Sequence, residues 1–325
     1  MPSEKPTCPL SGDAMRHWIH MPIDCRKAEP CSIGDVYRCE RCQYGAIFPR
    51  PHPEMIPGFY ELDKYYTHDR SHMAEPGPVS LLDKLRVHVA WRLDFGLSLN
   101  ARRVHRLLGG VPSKICDVGC GNGDFAEAIG RLGHQVTGVE PDPEAVSSAS
   151  RKNFEILQGT AEDLPEELGS RTFDCIVMRH VLEHCLDPLR AVANVRSLLR
   201  PGGTFMCEVP NNASRALSSL GVVWEMLDVP RHLNFFCERS LRLACEKSDL
   251  SVKDVYHWGF SRQFRNEWIN TESRTWDALQ QVEGKPVPRA IKNTKLRAWS
   301  LLLATAFASQ RRKYDSVGVI AERRG

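Results

Sequence analysis

The 325-residue chain has no apolar run approaching the roughly 18 residues that span a bilayer. Its most apolar helical stretch, residues 298–309 ("AWSLLLATAFAS"), is shorter and is bordered by Arg297, Arg311 and Arg312. It is read as a buried helix, and no membrane span is expected. A strong charge imbalance is also missing. The net charge of +3 is too mild to point to nucleic acid or an anionic surface on its own. There is no internal repeat. The opening "MPSEKPTCPLSGD" lacks the basic-then-apolar layout of a secretory signal, so a cytoplasmic location is expected. With 42% hydrophobic and 26% charged residues, the chain has the composition of a globular protein with one large core and an appendage, or two domains.

Cysteine is abundant, with 12 residues spread unevenly. Seven are scattered through apolar stretches such as "KICDVGC" and "FDCIVM", where a reduced thiol packs as a small hydrophobe. The other five, Cys8, Cys25, Cys31, Cys39 and Cys42, crowd into the first 42 residues.

From Lys114 onward strand and helix patterns alternate. "KICDVG", "QVTGVE", "FEILQG", "FDCIVMR", "GTFMCEVP", "SVKDVYHWGF" and "SVGVIAERR" read as seven strands. Between them lie helical stretches with capping Asp142 and Asp187, each followed by proline, and with glycine stops. Such alternation predicts a doubly wound α/β sheet. The last two strands are separated by an insert, residues 261–315, that contains Trp268, Trp276 and Trp299. This is far longer than an ordinary connection. It is expected to form helices over the active site or at a homodimer interface. Residues 80–108 read as one or two amphipathic helices, and the proline-rich "PRPHPEMIPG" closes a small N-terminal module. The expected division is 1–50 for the module, 51–110 for a linker and helical lid, and 111–325 for the α/β domain.

After the first strand comes "DVGCGNGDFA". Glycines between a strand and a helix let the backbone approach a ligand and aim the helix N-terminus at it. Here Gly119, Gly121 and Gly123 alternate behind Asp117. That carboxylate disfavours a pyrophosphate and suits a cationic group. Glu140, ending the second strand, can accept both hydrogen bonds of a ribose diol. Ala161 and Glu162, in "GTAEDLP" after the third strand, can border an adenine ring.

Taken together, these elements resemble the class I S-adenosylmethionine-dependent methyltransferases over residues 114–259. "SVGVIAERR" is similar to that family's last strand, and "FDCIVMRHVLEHCLDP" with "LLRPGG" resembles its small-molecule branch. The resemblance implies a seven-stranded Rossmann-like sheet. It also implies that Asp117, Gly119, Cys120, Gly121 and Gly123 hold the methionine part of S-adenosylmethionine. Glu140 and Pro141 would hold the ribose, Asp142, Ala161 and Glu162 the adenine, and Arg179 and His180 would face cofactor and substrate.

Methyl transfer from a sulfonium is an in-line displacement that needs alignment and, for a hydroxyl or protonated amine, a base. Histidine suits that role near neutral pH. His232, in "LDVPRHLNFF", is the leading candidate, in a pattern similar to one that family members place near substrate; His180 is the second. His184, in the "LEH" pattern, either caps its loop or faces the substrate. Arg231 is a candidate for an anionic substrate group or a plain surface arginine.

At the N-terminus, Cys39 and Cys42 have the C-x-x-C spacing of a zinc knuckle. Cys8 begins a second one in which Ser11 replaces the second cysteine. Cys25 is the expected fourth ligand, with His17, His20 and Cys31 as alternatives. The module resembles the zinc ribbon that precedes some bacterial small-molecule methyltransferases, which implies a structural zinc. The same resemblance makes Tyr65 and Tyr66 lid residues over the cofactor. The leading expectation is O- or N-methylation of a small biosynthetic acceptor, with C-methylation as a variant. An RNA methyltransferase reading its substrate through the zinc module is the alternative, and a non-catalytic subunit the third reading.

Overall fold

All seven apolar runs form strands of one sheet. They are β1 (Lys114–Val118), β2 (Gln135–Glu140), β3 (Glu155–Gln158), β4 (Phe173–Arg179), β5 (Leu199–Pro210), β6 (Leu250–Trp258) and β7 (Ser316–Arg323), in the order β6-β7-β5-β4-β1-β2-β3. β1 pairs in parallel with both β2 and β4, and β4 with β5. The order therefore reverses between β1 and β4. In open α/β sheets that reversal opens a crevice beyond the strands' carboxyl ends, where ligands bind. Strands covered on both faces need apolar side chains at every position. β4 accordingly buries Phe173, Cys175, Ile176, Val177 and Met178, and β1 buries Ile115, Cys116 and Val118 around Asp117.

The helices start where their capping residues stand. Asp142 accepts a hydrogen bond from the Glu144 N–H at the start of α1 (Pro143–Ala149). Asp187 accepts from the Leu189 and Arg190 N–H groups at the start of α2 (Pro188–Leu198), which buries Ala191, Val192, Val195 and Leu198 along one face. The Pro-Gly-Gly after α2 differs from its reading as a helix stop. β5 already begins at Leu199, and its register against β4 shifts between Leu199 and Thr204. The seven scattered cysteines are all buried and free.

The computed structural model describes residues 6–27, 29–61, 74–282 and 290–325. It divides into two compact units that cut across the linear order. The sheet unit comprises Ser98–Val209, Glu238–Tyr256 and Gly318–Gly325. The second unit gathers Met1–Leu97, Pro210–Cys237 and His257–Val317. The insert thus shares a unit with the N-terminal module, although the two are far apart in sequence. The module's sheet is antiparallel, with strands Arg16–His20, Asp35–Arg38, Gly45–Ile47 and Asn234–Phe235 in that order. Its last strand comes from the middle of the chain. Tyr44 fixes it by donating its hydroxyl to Asn234 Oδ1 at 2.6 Å.

Residues 80–108 form two helices, Leu81–Arg92 and Ala101–Leu107. The first begins with a capping box, Ser80 and Asp83 each bonding the other's backbone N–H. It faces inward with Asp83, Arg86 and Ala90, the reverse of an ordinary amphipathic helix. Arg86 is fully buried and donates to Asp83, to the Phe264 carbonyl and to Asn266 Oδ1 at 2.6 Å. The stretch expected to be a buried helix is only half buried. Helix Lys295–Ala306 covers Ala298, Leu301, Leu302 and Thr305, while Leu303 and the following Phe307 are exposed. Among the described residues no helix is long and apolar enough to cross a membrane.

A buried ionic group that loses its partner costs far more than an exposed apolar one. Arg86→Ala should lower unfolding stability by about 3–5 kcal/mol in chemical denaturation, whereas Leu85→Ala on the outer face should stay within about 0.5 kcal/mol. Equal losses from the two substitutions would refute this account of the helix.

Candidate active site

Beyond β1 the chain turns through Gly119, Gly121 and Gly123, with φ of +73°, +54° and +77°. Side-chain-bearing residues rarely adopt this left-handed conformation. The turn is anchored at both ends. The N–H groups of Gly119 and Cys120 both reach the Val139 carbonyl, at 2.7 and 3.2 Å. Gly123 then caps helix Asp124–Gly130. A Cβ on Gly119 would overlap the Val181 side chain at 2.3 Å, whereas one on Gly121 would meet no atom within 4 Å. The turn at Gly121 therefore borders open space.

Asp117 lies just before this turn and is 2% exposed. Burial pushes its carboxyl up to about 7; the Arg179 guanidinium draws it down and the Glu140 carboxylate pushes it up. Glu140 is itself buried and accepts from the Gly121 N–H at 2.8 Å and the Asp142 N–H at 3.1 Å. A buried carboxylate beside an open glycine turn fits a cationic amino-acid group. The cofactor implied by the sequence carries such a group, an ammonium.

The other predicted cofactor residues are tied into the loops after β2, β3 and β4. Pro141 offers its carbonyl to Gln158, and Asp142 caps α1. Ala161 is buried, and Asn194 Nδ2 holds the carbonyls of Ala161 and Glu162, each at 2.9 Å. The Glu162 carboxylate accepts from the Leu186 and Asp187 N–H groups, at 3.1 and 2.6 Å. The Glu162 carboxylate thereby braces the β3 loop against the start of α2. Arg179 lies 4.1 Å over the Phe125 ring, with its Nε 3.6 Å from Glu208 Oε2.

His180 adopts φ +56° and donates its N–H to the Glu208 carbonyl. Its Nδ1 is 3.2 Å from Glu183 Oε1. His184 ends the short 3-10 helix Leu182–His184, its N–H bonded to the Val181 carbonyl. Sequence reasoning missed Glu183, Glu208 and Asn194. The i, i+3 spacing of His180 and Glu183 was a usable signal. So was a lone carboxylate, Glu208, within the apolar "GTFMCEVP". Nothing in the sequence marked Asn194.

His232 and Arg231 belong to the second unit. His232 is buried, with Nδ1 2.9 Å from the Met226 carbonyl. Arg231 corrects its expectation. It is fully buried and grips Asp24 with both terminal nitrogens, at 2.8 and 2.6 Å, while its Nε donates to Asp228 at 3.0 Å. Its charge is met inside the protein, not by a substrate anion. Tyr65 and Tyr66 lie outside the described residues.

The thiols of Cys8, Cys39 and Cys42 are buried and lie within 4.8 Å of one another. Cys8 and Cys42 are 3.4 Å apart, and Ser11 Oγ stands 3.3 Å from Cys39 Sγ. The hydrogen bond between the Cys8 and Cys42 thiols favours one thiolate in the pair and holds Cys8 below the usual thiol range. Cys25 is a second correction. It is not part of this group; its sulfur lies 3.9 Å from Met21 Sδ, and burial near Asp228 and Asp24 pushes the thiol up to about 12.

A family model described as a methyltransferase domain matches residues 92–255, half of the chain. The chain belongs to this methyltransferase family. Its curated relatives include the ubiquinone biosynthesis O-methyltransferase of Methylocella silvestris, 33% identical over 199 residues, which are 55% of this chain and 76% of the relative. The enzyme of the same name from Actinobacillus pleuropneumoniae is 26% identical over 211 residues, 60% of this chain and 84% of its own. Among solved structures, the Burkholderia thailandensis 1,6-didemethyltoxoflavin-N1-methyltransferase is similar at 16% identity and a TM-score of 0.45, covering 89% of this chain and 99% of that one. The chain is a methyltransferase that uses S-adenosylmethionine.

If Asp117 meets the cofactor's ammonium, its raised pKa predicts that binding depends on pH. The ligand's ammonium needs the ionised carboxylate, so below about 7 a proton must leave before binding. S-adenosylhomocysteine affinity, measured by calorimetry, should fall about tenfold from pH 8 to pH 6. Asp117→Asn should bind weakly at both pH values. A wild-type affinity that stays flat over that range would remove Asp117 from the ammonium site.

Proposed function

We propose that this methyltransferase moves the methyl of S-adenosylmethionine to a hydroxyl of a small biosynthetic acceptor, with His232 as the base. The carrying observation is the bond from His232 Nδ1 to the Met226 carbonyl. A carbonyl only accepts, so Nδ1 bears the proton and Nε2 is the basic nitrogen. In the reaction the acceptor oxygen forms a bond to the methyl carbon, the carbon–sulfur bond breaks and the sulfonium becomes a thioether. The acceptor's proton goes to Nε2. The names of the relatives, O-methyltransferases of ubiquinone biosynthesis, support an oxygen acceptor.

The proposal extends to the cofactor, and the positions of the loops after β1, β2, β3 and β4 support the roles that follow. Asp117 faces the ammonium, with the glycine turn beside the amino-acid tail. Glu140 takes the ribose hydroxyls, with Pro141 and Asp142 next to it. Ala161 borders the adenine, and Glu162 and Asn194 are positioning residues for that loop. Arg179, held by Phe125 and Glu208, balances the charge of Asp117. His180, oriented by Glu183, is the second candidate for a polar contact at the end of β4.

His232→Ala should lower kcat by about 10²–10⁴-fold at pH 7. S-adenosylhomocysteine affinity should be unchanged, and the deficit smaller at a pH where a phenolic acceptor ionises by itself. The assay is S-adenosylhomocysteine release over a panel of phenol, sugar and amine acceptors. Full turnover by the variant would sink the base assignment, and turnover with amines alone would sink the oxygen acceptor.

The three N-terminal thiols fit a structural zinc, with Ser11 at the corner where a knuckle normally has its fourth sulfur. The purified chain should then carry one zinc by elemental analysis, and Cys39→Ser should lose it. Ser11→Cys should slow its release to a chelator. Metal-free protein whose melting temperature ignores chelator would exclude zinc.

A further inference from the structure

Helix Leu81–Arg92 is inside out. Its inward positions hold the Asp83–Arg86 ion pair, and its outward positions hold Leu81, Leu82, Leu85 and Trp91. Burying charge and exposing leucine is costly in water, and large exposed apolar patches mark interaction sites. The helix does not stand alone. Helix Lys295–Ala306 packs against it, and Lys295 Nζ reaches Asp83 at 2.7 Å. This second helix exposes Leu296 and Leu303, and the chain beyond it exposes Phe307, at 95% the most exposed large hydrophobic side chain among the described residues. Among the described residues fourteen large hydrophobic side chains are exposed, and eleven of them fall within residues 79–97 and 291–307. Among the described residues, large apolar exposure is therefore concentrated in two neighbouring segments.

Charge decides what covers the patch. Across residues 79–97 and 291–312 the exposed charged residues are Lys84, Arg92, Lys295, Arg297, Arg311 and Arg312. All are basic. The acids of these segments face inward or are only partly exposed. Asp83 pairs with Arg86 and Lys295, and Asp94 accepts from the Gly96 and Ser261 N–H groups. A second copy of the chain docked by a twofold axis would bring basic residues against basic residues. Leucine, phenylalanine and tryptophan set among lysine and arginine match a bilayer with anionic headgroups, where apolar side chains enter the acyl boundary and cations meet phosphate. Trp91 adds a side chain favoured at the headgroup level.

We propose that helices Leu81–Arg92 and Lys295–Ala306, with Phe95 and Phe307, form a docking face for an anionic membrane surface. The chain lies on the bilayer without crossing it.

Vesicle sedimentation of the full chain tests this. The chain should sediment with vesicles of phosphatidylcholine and phosphatidylglycerol and stay free of phosphatidylcholine alone. Binding should weaken as salt rises from about 0.05 to about 0.5 M. Phe307→Glu and the pair Arg297→Glu with Arg312→Glu should each weaken binding by about tenfold or more at an unchanged melting temperature. Should either variant melt lower, Leu296→Ser serves in its place. Failure of the wild-type chain to bind anionic vesicles overturns the proposal, as does full binding by the variants. A wild-type dimer that Phe307→Glu dissociates, without vesicle binding, would assign the face to a second copy and also overturn it.

Discussion

A carboxylate on a central strand, closed off from water, has to be met by positive charge. Asp117 is that group. Two parallel neighbours flank β1, and apolar side chains surround it, so the end of the strand is a poor medium for a lone anion. Arg179 supplies part of the compensation from β4, and Glu140 opposes it from β2. The glycine turn beyond carries no side chain that could complete the balance. A cationic ligand would complete it, which is why the proposed role of this site is to meet an ammonium and not a phosphate. The glycine geometry alone would serve either.

The second unit uses buried charge differently. Arg231 binds Asp24 and Asp228, and Arg26 binds Glu225 and Asp228, so five ionic groups from two remote segments interlock. Asp228 is held well below the usual carboxylate range by the two arginines, which outweigh its burial. Ion pairs of this kind add little net stability over apolar packing, but breaking one is costly. Their effect is selective, because only one arrangement of residues 24–26 against 225–231 satisfies every charge. That same loop carries Met226 and His232, so the network fixes the setting of the proposed base.

The seven strands were legible because each is a short apolar run between clear helix signals, and period alone separates the two patterns. The placement of Asp117, Glu140 and the glycines around one turn was legible because it depends on local spacing. Partners remote in sequence were not. Nothing near Asn234 announces that it extends a sheet begun at Arg16, and Arg231 reads as a surface residue until Asp24 is brought to it. Cys25 failed as a ligand for a related reason. Counting cysteines gives candidates, while direction decides membership, and Cys25 points to Met21. Helix Leu81–Arg92 misled in the opposite sense. Its apolar and charged positions are interleaved around the helix, so the sequence does not mark an inward face, and that face is set by Phe264 and Asn266, some 180 residues away.

The inverted helix also governs how the molecule behaves in solution. Its apolar and basic residues respond to ions in opposite ways. In dilute salt the like charges hold copies apart and the leucines stay wet. Adding salt screens that repulsion, and strongly hydrated anions strengthen apolar association as well. The chain should therefore be most monodisperse in buffers of low ionic strength and become adhesive in concentrated sulfate, the reverse of a protein whose copies attract through opposite charges.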